Sequence, residues 1–507
     1  MPKSQGLESP ESGSGITRRG FVHLTGVAAA AAVFGGLPRF DEIERTAPAS
    51  VAAQATAARE FAVAAAPLTL DLAGTTVNTW GYNGTVPGPL IRITAGDTTR
   101  VRFQNSLAKP STIHWHGIAL QNDMDGVPGV TQDAVPPGGQ FTYEFVPPDP
   151  GTYFLHSHVG MQLDRGLYAP LIVDDPNDPG GYDAEWVVVL DDWVDGTGET
   201  PDQVLRRLED SMDMGHSSMS KDGSGMGSMA MAGSSKLLGG DAGDVRYPFY
   251  LANGRPPADP EVFDAKPGQR LRVRIINAGS DTAFRVALGE HRLTVTHADG
   301  FAVTATDADA VLLGMGERVD AIVTLADGVF PLVAVAEGKR AQAVAVVRTG
   351  AGTSGGPKVH PRELDGQVVL AAHLEPASGV AIAEREPDRT HRLVLAGGQM
   401  GYRWTINGKT YDPERSLRAV WGERVRLVFD NRSTMFHPMH LHGHTFSVMS
   451  RRGSRFIPGP RKDTVIVRPA ERIVIDFDAH NAGDWVVHCH NAYHQATGMM
   501  TTIAYAK

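Results

Sequence analysis

One ten-residue pattern occurs three times in this chain, and it dictates a fold built by repetition. Gly96-Asp97-Thr98-Thr99-Arg100-Val101-Arg102-Phe103-Gln104-Asn105 returns as Gly268-Gln269-Arg270-Leu271-Arg272-Val273-Arg274-Ile275-Ile276-Asn277. It returns again as Gly422-Glu423-Arg424-Val425-Arg426-Leu427-Val428-Phe429-Asp430-Asn431. The distance from glycine to asparagine is constant, and the residues between them are rich in side chains that suit strands. An Asn-Gly pair precedes each copy, at 83–84, 253–254 and 407–408, and such a pair closes a hairpin because both residues accept positive φ. A second element, Phe145…Gly151…His156-Ser157-His158, recurs at identical spacing as Phe477…Gly483…His488-Cys489-His490. Its middle copy is Ile322…Gly328…Val333-Ala334-Val335. Three related β-rich units in tandem follow.

The chemistry concentrates in the first and third units. Cys489, the only cysteine, lies in His488-Cys489-His490-Asn491-Ala492-Tyr493-His494, with Met499 following. With one cysteine no intrachain disulfide can form. A thiolate with two imidazoles and a weak axial thioether selects copper in an electron-transfer site. Side chains alternate faces along a strand, so His488 and His490 should point away from Cys489. An electron accepted at the sulfur would then travel one residue to whatever those histidines bind. Three more clusters accompany it: His114-Trp115-His116, His156-Ser157-His158 and His437-Pro438-Met439-His440-Leu441-His442. Residues i and i+2 of a strand lie roughly 7 Å apart on one face, so each His-x-His pair can reach two metals of one cluster. A single buried histidine is most often a hydrogen-bonded core residue. Ten of the 19 histidines in four such clusters, one holding the sole cysteine, are not explained that way.

This arrangement resembles the multicopper oxidases, from about residue 65 to the C-terminus. The resemblance implies an all-β fold of three consecutive cupredoxin-like Greek-key β-sandwich domains and four coppers per chain. It gives the type 1 copper His437, Cys489, His494 and axial Met499. The type 2 copper takes His114 and His440, and the type 3 pair takes His116, His156, His158, His442, His488 and His490. The implied reaction is four one-electron oxidations at the type 1 copper, coupled to reduction of dioxygen to water at a trinuclear cluster. Asp125 matches an acidic residue that relatives place near the type 2 copper, although Asp-Gly is also ordinary turn chemistry. Tyr493 stands where many bacterial relatives carry a glutamate thought to relay protons. A phenol with a pKa of about 10 is a poor acid at neutral pH, so protons must reach the cluster differently. A methionine axial ligand implies a moderate potential and easily oxidised donors: Cu(I), Fe(II), phenols and aromatic diamines.

The middle unit has Val-Ala-Val where the others have His-x-His, so the cluster should close between the first and third domains. Expected boundaries are 61–180, 181–355 and 356–507. Trp115, Trp404 and Trp485 read as packing residues. A net charge of −10 without basic runs after the N-terminal segment argues against nucleic acid and anionic membranes as partners. Residues 1–60 read as a leader and an Ala-rich spacer. Thr17-Arg18-Arg19-Gly20-Phe21-Val22-His23-Leu24 ahead of a short apolar stretch resembles a twin-arginine signal. That stretch is well short of the ~20 residues a membrane anchor needs. The expected destination is the periplasm, cell envelope or exterior, reached through the twin-arginine export machinery.

A methionine-rich insert separates the first two cores. Six of the 16 methionines fall within residues 212–231 among Gly and Ser, a composition that cannot bury a core. It should form a loop over about 211–235. Thioethers prefer Cu(I), so the loop is expected to collect cuprous ions for the type 1 site. The competing reading is a tolerated insert whose methionines scavenge oxidants. The whole pattern looks most like bacterial copper-resistance members of the family, with a phenol-oxidising laccase as the alternative and a non-catalytic copper-binding protein as a distant third.

Overall fold

Each Asn-Gly pair closes a tight hairpin. Backbone φ is 51° and 79° at Asn83-Gly84, 50° and 76° at Asn253-Gly254, and 56° and 73° at Asn407-Gly408. The asparagine side chains then do the same job three times. Asn83 accepts from the Ala64 amide and donates to the Ala62 carbonyl. Asn253 does so with Val189 and Val187, and Asn407 with Val394 and Arg392. These bonds fix the hairpin against the first strand of its unit. That strand pairs parallel with the repeat strand: Arg59–Leu72 with Thr99–Asn105, Ala184–Trp193 with Arg270–Asn277, and Arg389–Gly397 with Arg424–Asn431.

The computed structural model describes residues 58–213, 232–398 and 401–506. They form three β-sandwiches of two sheets each, with four plus four, six plus six and six plus five strands. The asparagine ending each repeat is fully buried and ties its strand to the segment that leads into the other sheet. Asn105 donates to the carbonyls of Lys109 and Val135, Asn277 to those of Thr282 and Leu313, and Asn431 to those of Met435 and Val467. The pattern is thus an anchor for the strand that follows, which in the third unit is His437–Leu441.

The strands Gly151–His156, Val329–Ala336 and Asp484–Cys489 occupy equivalent places in the three second sheets. In the middle copy Val333 is buried in an aliphatic cluster with Ala287, Ala310, Val344 and Leu364. Three expectations shift at their edges. The middle sandwich continues past residue 355, because apolar Val368–Leu370 adds a parallel edge strand to Ala310–Leu313. The third unit's sheets begin at Arg389. The insert's first residues are helical: Pro201–Asp213 forms a helix with Val204 and Leu208 buried at i and i+4, while Ser234–Ser235 pairs with Gly240–Asp241. The leader through residue 57 and insert residues 214–231 lie outside the described residues. No helix among the described residues is long and apolar enough to cross a membrane.

Candidate metal centre

Strand register delivers the histidines. His114 and His116 lie opposite His156 and Phe154 in one antiparallel pair, and His440 lies opposite His488 in another. Between them, Trp115 turns into the core of the first sandwich. The two pairs meet across the interface of the first and third units. Eight buried imidazoles converge there in overlapping triads: His114, His116 and His440; His116, His156 and His490; His158, His442 and His488. On the opposite face of the strand Asp484–Cys489, Cys489 joins His437 and His494. Its Sγ lies 3.6 Å from Nδ1 of each, and the two nitrogens are 3.2 Å apart. Met499 is buried beside them, its amide bonded to the His494 carbonyl and its carbonyl accepting from the Cys489 amide.

Hydrogen bonding fixes which nitrogen faces inward in five of the rings. A carbonyl or carboxylate can only accept, so the nitrogen touching it carries the proton and the other keeps its lone pair. His114 Nδ1 donates to the Asp125 carbonyl at 2.9 Å, His156 Nδ1 to that of Ser157, and His440 Nδ1 to that of Asp463. His442 Nδ1 donates to the Asp125 carboxylate at 2.9 Å, and His488 Nδ1 to the Cys489 carbonyl. His442 Nε2 and His488 Nε2 consequently present two lone pairs to each other at 3.0 Å, which requires a cation. Six buried ring nitrogens have no hydrogen-bond partner: Nε2 of His114, His156 and His440, Nδ1 of His116, and both nitrogens of His490, of which the neutral ring offers one lone pair. A buried polar atom left unpaired costs about 1–3 kcal/mol, so the set would cost on the order of 10 kcal/mol, as much as a domain's net stability. Metal ions that accept those lone pairs remove the cost, and the donor set fits copper.

The electrostatics agree. Burial holds His116, His156, His158, His437, His440, His442, His488 and His490 below the ordinary imidazole range, which keeps them neutral and available as ligands. Burial pushes the Cys489 thiol up, so it gives up its proton only to a metal.

The family models agree with this geometry. Three described as multicopper oxidase match residues 65–178, 184–352 and 384–507. The chain belongs to the multicopper oxidase family. This oxidase is 49% identical to multicopper oxidase MmcO of Mycobacterium tuberculosis over 87% of its own length and 85% of that protein. It is 27% identical to a copper resistance protein A homolog of Pseudomonas syringae pv. tomato, covering 88% of this chain and 92% of that one. A crystal structure of a multicopper oxidase from Pseudomonas thermotolerans superposes with a TM-score of 0.67, at 27% identity over 89% of this chain and 99% of that one. As a member of this family the oxidase is a copper-dependent oxidoreductase that reduces dioxygen.

Several contacts around the site were invisible in the sequence. Trp404, expected only to pack, stacks on the His494 ring with centroids 3.8 Å apart and meets His437 edge-on. Asp244, from the segment after the insert, places Oδ2 3.0 Å from His494 Nε2. Ser433 Oγ lies 2.7 Å from His437 Nε2. Tyr493 is buried and donates to Asp164 at 2.6 Å, tying the helix Ala492–Ala496 to the first unit. Apart from Ser433, which lies four residues from His437, each contact joins residues far apart in the chain, so no periodicity marks it.

Proposed function

We propose that this oxidase is an exported cuprous oxidase that serves copper tolerance, with phenols and aromatic diamines as secondary donors. In this reading the type 1 copper is held by His437, Cys489, His494 and Met499. The type 2 copper is held by His114 and His440, and the type 3 pair by the other six cluster histidines. The bound coppers supply one-electron oxidation of the donor and reduction of dioxygen to water. The chain's own part is positional: the backbone joins Cys489 directly to His488 and His490, and Asp125 holds His114 and His442 on either side of itself. A cavity of about 980 Å³ reaches His158, which suits access by dioxygen.

The observation that carries the cuprous reading is Asp244. A carboxylate against the outward nitrogen of His494 favours a cationic donor over a neutral one. It belongs to the segment that leaves the methionine-rich insert, and Asp241 of the same segment donates its amide to the Thr434 carbonyl beside His437. The relatives named for copper resistance support the same donor. Deleting residues 212–231 should weaken cuprous oxidation far more than oxidation of a phenol; equal losses would instead favour a laccase. Export rests on the leader sequence, and Arg18→Lys with Arg19→Lys should leave the active enzyme inside the cell.

A further inference from the structure

The middle unit contributes no histidine to the cluster, yet one of its turns sits on it. Gly316 has φ of 85°, and a Cβ there would fall 2.9 Å from both His116 Cε1 and His490 Cδ2. Two residues on, Arg318 is completely buried. Its guanidinium grips the Asp463 carboxylate at both ends, Nη1 to Oδ1 at 2.7 Å and Nη2 to Oδ2 at 2.6 Å. The fork is held in turn by the carbonyls of Thr152 and Gly316. Asp463 and its neighbour then reach two cluster histidines. Asp463 Oδ1 lies 3.2 Å from His116 Nε2, and the Asp463 carbonyl accepts from His440 Nδ1 at 2.9 Å. Thr464 Oγ1 lies 3.2 Å from His116 Nε2 and 3.1 Å from His440 Nδ1.

We propose that Arg318 is a positioning residue through which the ligand-free middle domain sets the orientation of His116 and His440. The two imidazoles stack with centroids 3.8 Å apart, so their turn about the ring axis is fixed by what their outer nitrogens touch. For His116 that is Asp463 and Thr464, and for His440 it is the Asp463 carbonyl and Thr464. Asp463 can move only if Arg318 moves. The surroundings supply the remaining partners: Asp299 Oδ2 accepts the amides of Asp463 and Thr464, and it pairs with the buried Lys462. A bidentate guanidinium fixes a carboxylate in plane and direction, which an ammonium cannot do.

The inference rests on the copper assignment above, and its test separates the two. Wild-type, Arg318→Lys and the isosteric Asp463→Asn proteins are loaded with copper. Each is titrated with a chelator while the type 1 absorption and the type 2 paramagnetic resonance signal are followed. Outer contacts of metal ligands govern affinity by roughly 10–100-fold. Both variants should release the type 2 ion at correspondingly lower chelator concentration, with a shifted type 2 signal and an unchanged blue band. Type 2 copper held as tightly as in wild type by either folded variant would overturn the proposal. So would parallel loss of type 1 and type 2 copper, the mark of a simple interdomain tie. If one variant fails to fold, the other decides. A wild-type protein that binds no copper would instead sink the assignment beneath.

Discussion

Asp125 and His442 are 317 positions apart in sequence, yet the Asp125 carboxylate lies 2.9 Å from His442 Nδ1, and its carbonyl accepts from His114 Nδ1. One buried residue of the first unit therefore orients a ligand from each of the two units that share the cluster. Turn chemistry contributes too: Gly126 has φ of 83°, and a Cβ there would collide with the Ile113 carbonyl. Asp125→Asn keeps the shape but removes the charge opposing His442. Oxygen uptake should fall roughly 10–100-fold, as for other groups that orient metal ligands. Copper counting alongside would show whether the loss is in binding or in turnover.

Copper loading should release a proton from Cys489. Burial pushes the thiol up, so at neutral pH the metal-free protein carries Sγ–H and the metal must displace that proton. A pH-stat titration with copper should therefore register one proton fewer for Cys489→Ser than for wild type. The same variant should lack the strong visible charge-transfer band.

Cuprous oxidation should carry a pH dependence near neutrality that phenol oxidation lacks. Burial pushes the Asp241 carboxyl up to about 7, and Asp241 lines a cavity of about 710 Å³ with Ser433, the partner of His437. Below that pH the group is protonated and neutral; above it the carboxylate attracts a cation. KM for Cu(I) should fall as pH rises from 6 to 8, and Asp241→Asn should flatten the change.

The repeat asparagines should matter for stability even far from copper. Asn277 is fully buried, donates twice and accepts once from the Gly279 amide. Asn277→Ala orphans those backbone groups at about 1–3 kcal/mol each. A loss of about 3 kcal/mol or more in chemical denaturation of the metal-free protein is expected. The analogous Asn431→Ala should additionally loosen His437, whose strand it anchors through the Met435 carbonyl.

Much of this was legible because the signals are local. The Gly-to-Asn spacing, the Asn-Gly turns and the two-residue alternation that sends Cys489 one way and His488 and His490 the other are properties of short segments. Backbone sterics and strand pleating make them so. Composition likewise told where the methionine insert lies, although its flanks proved to be a helix and a short strand pair. The extension of the middle sandwich to Leu370 escaped notice because three apolar residues in a linker carry no period.

The sequence by itself determined the inventory: three sandwiches, ten clustered histidines, one sulfur and the face on which each must stand. Only the tertiary structure decided who holds them. Arg318 reaches Asp463 across 145 positions, and Asp244 reaches His494 across 250. Such pairs form where separate sandwiches bury charges together, and a buried charge must find its partner in space whatever its distance along the chain.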